Sequence, residues 1–201
     1  LTDNLNRVEQ GLRELKQTEL TDAAVGEALE NSAHSGVPYE KQIVAALQKI
    51  SYPVGDVCTH TGGTSGLTSS RNYKGDGVIE LREGGRAVAR IVVEMKNTSI
   101  SEEKWRKEEI EPSKKNRGAI SFLGFSKYLE DMPNGGRVMM IDPLTWLLAY
   151  DPAKDTPETL FVVYQMLRMN TLAAAGVLTH DVASEVGRIV QESVTMLNTF
   201  D

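Results

Sequence analysis

The chain has 201 residues, 40% of them hydrophobic and 25% charged, a balance that supports a folded core and excludes global disorder. No apolar run approaches the ~20 residues that cross a bilayer, and the first residues are polar and charged instead of a secretory signal, so a membrane partner is not expected and a cytoplasmic location is. The net charge of −6 argues against a polyanionic partner only until it is mapped: residues 1–35 and 150–201 each hold 3 basic and 7 acidic side chains, while residues 36–149 hold 16 basic and 14 acidic.

Leu1, Leu5, Val8, Leu12 and Leu15 recur at spacings of four and three, the seam of a heptad helix. The expectation is the end of a coiled coil that continues upstream, although one amphipathic helix packed on its own domain fits the same pattern. A second helix is expected over residues 21–32. Pro38 at a first-turn position, then Ile43, Val44, Leu47 and Ile50, predicts an amphipathic helix that ends before Tyr52-Pro53.

Strands are expected over residues 55–60, 77–81, 87–96, 119–125 and 137–141, with Glu83-Gly84-Gly85-Arg86 as a hairpin turn. The Gly, Ser and Thr-rich stretch 61–70 reads as a mobile loop that could rim a groove; it lacks the Gly-Lys-Ser/Thr ending of a phosphate-binding loop. A helix over 102–115, broken or bent at Pro112, follows the third strand. Asp142-Pro143 predicts a short helix through Tyr150, and Thr156-Pro157 a longer one reaching Ala175, stopped by Gly176. A last helix from about Thr179 carries a second narrow seam, which suits either a hairpin packed on the core or subunit pairing, so a homo-oligomer through the helical segments is expected. The organisation is therefore 1–35, coiled-coil end and linker helix; 36–150, an α/β core; and 151–201, a C-terminal helical hairpin.

The chemistry concentrates in the core. Ile91, Val92 and Val93 form the β-branched run of a buried strand, and Glu94 and Lys96, two apart, project to one face of it while Val93 and Met95 project to the other. A charged pair on such a strand is costly unless it is paired, metal-bound or at a solvated end. Asp76 begins the preceding strand. Two carboxylates converging at strand ends with a main-chain carbonyl, here Asp76, Glu94 and the carbonyl of Met95, are the oxygen ligands of a hard cation such as Mg2+ or Mn2+. Lys96 beside them could activate a water or stabilise negative charge. Single Cys58 has no partner for a disulfide or zinc knuckle and reads as a small core residue, and His34, His60 and His180 lack neighbours at zinc-ligand spacing. Trp105 and Trp146 read as core anchors, with base stacking as the alternative for Trp105.

Gly75-Asp76-Gly77 followed by Ile91-Val92-Val93-Glu94-Met95-Lys96, after an amphipathic helix, resembles the PD-(D/E)XK nuclease superfamily over about residues 36–142. Glu94-Met95-Lys96-Asn97-Thr98 with Lys104-Trp105 downstream is further similar to a bacterial family of uncharacterised proteins that join a long coiled coil to this core. The resemblance implies a restriction-endonuclease-like mixed central β-sheet flanked by helices, and a magnesium-dependent deoxyribonuclease acting in DNA repair, restriction or phage defence. It departs from the signature at Gly75, where the superfamily has Pro. By the same resemblance Glu40, in the first core helix, is a further catalytic candidate, and Ser113 or Lys114 a contributor from the helix after the Glu-X-Lys strand. Lys74, Lys104, Lys107 and Lys114 are the candidate DNA contacts. Two readings stay open beside the nuclease: a nucleic-acid-binding module without turnover, and an oligomerisation or scaffold domain whose ion pair is structural.

Overall fold

The computed structural model describes residues 39–178, with Val182 and Arg188 beyond them. The expected coiled coil, the helix over 21–32 and the final helix lie outside these residues.

Helix α1 (Tyr39–Ser51) buries Ile43, Val44, Leu47 and Ile50, the helical-period face the sequence predicts. A 3-10 turn at Tyr52–Val54 and Gly55, at φ 84°, end it. Strands β1 (Val57–His60), β2 (Gly77–Glu83) and β3 (Arg86–Lys96) then form an antiparallel meander. Gly84 and Gly85, both at positive φ, make the two-residue β2–β3 turn, a conformation that matches the twist of the flanking strands and that only glycine adopts without strain.

One helical run carries the chain from β3 to β4 (Ser121–Ser126), which lies parallel to β3. It starts as α2 (Glu102–Lys104), widens to a π-helix at Trp105–Ile110 and continues as α3 (Glu111–Arg117). The expected break at Pro112 is instead this widening. A proline ring clashes with the carbonyl four residues back, and a π turn just before it relieves that contact without interrupting the run.

After β4 the sequence-based expectation fails in one place. Residues 145–149 form not a helix but β6 (Thr145–Ala149), inserted between β4 and the edge strand β5 (Val138–Asp142). Asp142 Oδ1 accepts the Leu144 N–H at 2.7 Å, so Asp-Pro closes a tight turn between strands where it was expected to cap a helix. Thr-Trp-Leu-Leu-Ala is buried throughout, and a strand covered on both faces shows no alternation to distinguish it from a helix. The sheet thus has six strands, in order β1-β2-β3-β4-β6-β5, mixed in direction.

Helix α4 (Pro157–Ala174), stopped near Gly176 at φ 72°, packs with α1 on one face of the sheet. Ile91, Val93 and Met95 of β3 point into that layer, together with Leu160, Phe161, Tyr164 and Leu167. Val92 points to the other face, into a smaller cluster with Trp105, Ile110, Phe122 and Leu147. Trp105 is wholly buried, edge-on to Phe122 with ring centroids 5.9 Å apart, which removes it as a base-stacking surface. It lies over Gly124, where an added Cβ would stand 2.9 Å from the indole and 2.5 Å from Leu147. Cys58 is buried as expected, and burial pushes its thiol up to about 12.

Candidate active site

β2 and β3 place three charged side chains at one end of the sheet. Asp76 sits just before β2, its N–H donating to the Val93 carbonyl at 2.9 Å, so it enters the sheet beside the last residues of β3. Its Oδ2 accepts the Met95 N–H at 2.9 Å. Glu94 lies on the same face of β3 as Val92, towards α3, and is almost fully buried. Its Oε2 accepts from the Gly75 N–H at 2.8 Å and from Ser113 Oγ at 3.1 Å, and its Oε1 from Lys96 Nζ at 2.8 Å. The sequence-predicted trio is therefore joined within one hydrogen-bonded assembly, and of the two candidates from the following helix Ser113 belongs to it while Lys114 pairs with Glu111.

Gly75 explains the departure from Pro. Its φ is 90°, which proline, locked near −65°, cannot adopt, and its N–H is the donor that holds Glu94. An added Cβ would stand 2.7 Å from Arg117 Cγ and 2.8 Å from Val92 Cγ2.

Sequence reasoning missed Glu109. It is nearly buried in the π-helix and bridges two ammonium groups, Lys74 Nζ at 2.9 Å and Lys96 Nζ at 3.3 Å. Its flanking Lys107 and Glu108 are exposed, and Glu109 and Ser113 share the inward face at a spacing of four. Nothing in the sequence separates Glu109 from its acidic neighbours, because its orientation depends on the π turn. Burial opposes charge on Glu109, yet Lys74 and Lys96 outweigh it and hold its carboxyl below the ordinary range. Burial likewise opposes charge on Lys96, and Glu94 and Glu109 together raise its pKa above the ordinary value.

Asp76 behaves in the opposite way. Burial first and the charge of Glu94 second push it up to about 6, against the lowering effect of the Met95 N–H and Lys96, with Glu40 adding to the rise. Glu40, in the first turn of α1, is half-exposed, and its Oε1 stands 3.8 Å from His60 Nε2, a buried nitrogen with no hydrogen-bond partner among the described residues. His60 thus belongs beside the site.

The candidate DNA contacts divide. Lys74 has its ammonium in the network, whereas Lys107 pairs with Glu103 and Lys114 with Glu111 along the same helical run, and Lys104 lies exposed on it.

No group of three or more His, Cys, Asp or Glu among the described residues has the geometry to hold a metal ion. Magnesium rarely asks for one: it commonly keeps several waters and takes one or two protein carboxylates beside a substrate phosphate. Asp76 and Glu94 fit that smaller demand. Asp76 Oδ1 accepts no hydrogen bond from a described residue, and burial, then the charge of Glu94, keep Asp76 elevated despite Lys96.

Fold and site together define a mixed α/β domain, a six-stranded sheet between helices with a carboxylate–lysine centre at one end of its middle strands. Compared with known families, curated proteins and solved structures, the chain matches none of them. No helix among the described residues is long and apolar enough to cross a membrane.

Proposed function

We propose that the domain is a metal-dependent, PD-(D/E)XK-like endonuclease that hydrolyses DNA phosphodiester bonds. The observation that carries this reading is the linkage of Asp76, Glu94 and Lys96 across two adjacent strands, with Met95 N–H on Asp76 and Lys96 Nζ on Glu94. Asp76 and Glu94, with the Met95 carbonyl, would hold Mg2+ or Mn2+. Bound there, the cation would supply Lewis acidity to a phosphate oxygen and acidify a coordinated water.

The chain's own residues then divide the remaining work. Lys96, donating to two carboxylates, is in the state that stabilises charge building on a phosphate oxygen instead of the one that takes a proton. Glu109 keeps that ammonium from folding away and holds Lys74 beside it, where a second phosphate can meet a positive charge. Ser113 and the Gly75 N–H fix the Glu94 carboxylate, and a fixed carboxylate keeps its charge in place through turnover. Glu40, close enough to raise Asp76, would extend the acidic wall of the site. An acidic pocket of this kind needs a cation before a phosphate can approach.

The test is cleavage of plasmid and oligonucleotide DNA by purified protein with magnesium or manganese, beside Lys96→Ala and Glu94→Gln. Equal cleavage by wild type and Lys96→Ala overturns the catalytic assignment. The network also supports a second reading, because every carboxylate oxygen of Glu94 already has a donor, as a purely binding module would have it. DNA binding with no cleavage in either metal would select that reading.

A further inference from the structure

The segment between β1 and β2, residues 61–75, has its ends drawn together: the Thr61 and Gly62 N–H groups both donate to the Asp76 carbonyl, at 2.7 and 2.9 Å. It is an Ω-loop hung on the main-chain carbonyl of a residue whose carboxylate is a candidate metal ligand. Its composition predicts mobility, but two side chains of α3, both nearly or fully buried, staple it from below. Arg117 Nη2 donates to the carbonyls of Thr61, Thr64, Tyr73 and Gly75, at 2.9 to 3.2 Å. Asn116 accepts from Thr68 Oγ1 at 2.7 Å and donates to the carbonyls of Asn72 and Lys74 at 3.1 and 2.8 Å. The loop passes so close that a Cβ on Gly66 would stand 2.2 Å from Asn116 Oδ1.

Burial draws the Arg117 pKa down even though the charges of Asp76 and Glu94 favour the guanidinium, so the loop's shape is maintained at a cost. What that shape displays is apolar and basic. Leu67 is 73% exposed and Tyr73 51% exposed, Arg71 and Lys74 are the charged side chains of residues 61–75, and the segment contains no acid. The Tyr73 ring makes no hydrogen bond to a described residue, while its carbonyl is fixed by Arg117 and the next N–H by Asn72 Oδ1. A ring on a fixed backbone loses little entropy when it is covered.

We propose that this loop is a nucleic-acid contact surface on which Tyr73 stacks against the base of an unpaired nucleotide next to the scissile phosphate. The location of that phosphate rests on the nuclease reading. Two residues, Lys74 and Gly75, separate Tyr73 from Asp76, three chain steps with a reach of at most about 11 Å, or one to three nucleotides at the ~3.4 Å rise of a strand. Inside a duplex the faces of bases are covered by their neighbours, so a stacking side chain selects an end, gap, flap or single strand. Arg71 and Lys74, which flank Tyr73 in the chain, supply positive charge that complements the strand, Lys74 from beside Glu109.

The experiment is binding of the 201-residue chain, with Ca2+ in place of Mg2+ so that the acidic pocket is neutralised, to a single-stranded oligonucleotide and to a blunt duplex of the same sequence, followed by anisotropy. Tyr73→Ala is expected to weaken single-strand binding roughly 5- to 100-fold, with Tyr73→Phe like wild type and duplex affinity unchanged within about twofold. Wild-type affinity in Tyr73→Ala, equal losses on both DNAs, or no single-strand binding by wild type would each overturn the proposal. Because no turnover is needed, the two readings fail separately. Stacking without cleavage removes the nuclease and leaves the surface, while cleavage with Tyr73→Ala indifferent on every DNA removes the surface alone.

Discussion

Two buried networks of charge lie at different places on the same sheet, and they are built differently. In the first, Asp56, 2% exposed, accepts from the Arg82 N–H at 2.8 Å, from Arg168 Nε at 2.6 Å and from Tyr164 Oη, tying α4 to β2. Burial and the Asp56 charge push the Tyr164 hydroxyl well above its ordinary range, while Arg168, despite burial, is raised by Asp56, so the carboxylate's demand is met. In the second, three acids (Asp76, Glu94, Glu109) face two lysines, and the lysine side chains are 24% and 37% exposed. One carboxylate is left elevated at about 6. The first network is enclosed in the fold, whereas the second stays partly open to solvent with one carboxylate that its neighbours do not hold down, the difference expected between an internal brace and a site of the kind proposed above.

The largest expected effect breaks the brace. Arg168→Met leaves Asp56 buried without its cation and is expected to cost about 3–5 kcal/mol, read as a lower urea midpoint, with the specific cleavage rate of the folded fraction unchanged. A loss under about 1 kcal/mol would mean that the first network is as dispensable as a surface pair. Next comes Lys96→Ala, expected to lower kcat about 10²–10³-fold while its urea midpoint moves much less than that of Arg168→Met. If instead Lys96→Ala unfolds the protein and spares turnover in what remains, the two networks are alike and the contrast collapses. Glu109→Gln, which keeps shape and removes the bridge, is expected to lower kcat about tenfold with DNA affinity equal or higher, since an acid near phosphate has been removed. Unchanged kcat would confine Glu109 to a structural part.

The sequence made the trio legible because each member obeys a local rule. Glu94 and Lys96 share a face by strand alternation, and Asp76 sits where a glycine-flanked strand begins. All five expected strands begin within two residues of their observed starts for the same reason, as local apolar patterning and turn glycines set them. What escaped needed information from outside the segment. β6 is buried on both faces, so its periodicity was silent. Glu109 faces inward from within a π turn that ordinary helical spacing does not predict, and the loop 61–75 is ordered by Asn116 and Arg117, more than forty residues away. The coarse architecture, a mixed sheet between helices, followed from patterning; the restraint of the site came from long-range hydrogen bonds that no spacing reveals.

The smallest effect is the sharpest on the comparison, because its sign is opposite to the first. Asp76 titrates near 6 in the fold against 3.8 ordinarily, so the folded protein binds that proton more tightly than the unfolded chain does. Stability attached to Asp76 is therefore present below about pH 4 and is lost as pH rises through 6. Asp76→Asn, which keeps an acceptor for the Met95 N–H, is expected to be more stable than wild type by about 1–3 kcal/mol at pH 8 and indistinguishable from it near pH 4, in urea titrations without divalent metal. Magnesium should raise the wild-type midpoint at pH 8 and leave that of Asp76→Asn where it was, since a ligand stabilises only the state that binds it. A variant destabilised at pH 8 would place Asp76 with Asp56, as a carboxylate whose partners already satisfy it, and the second network would then be a brace like the first.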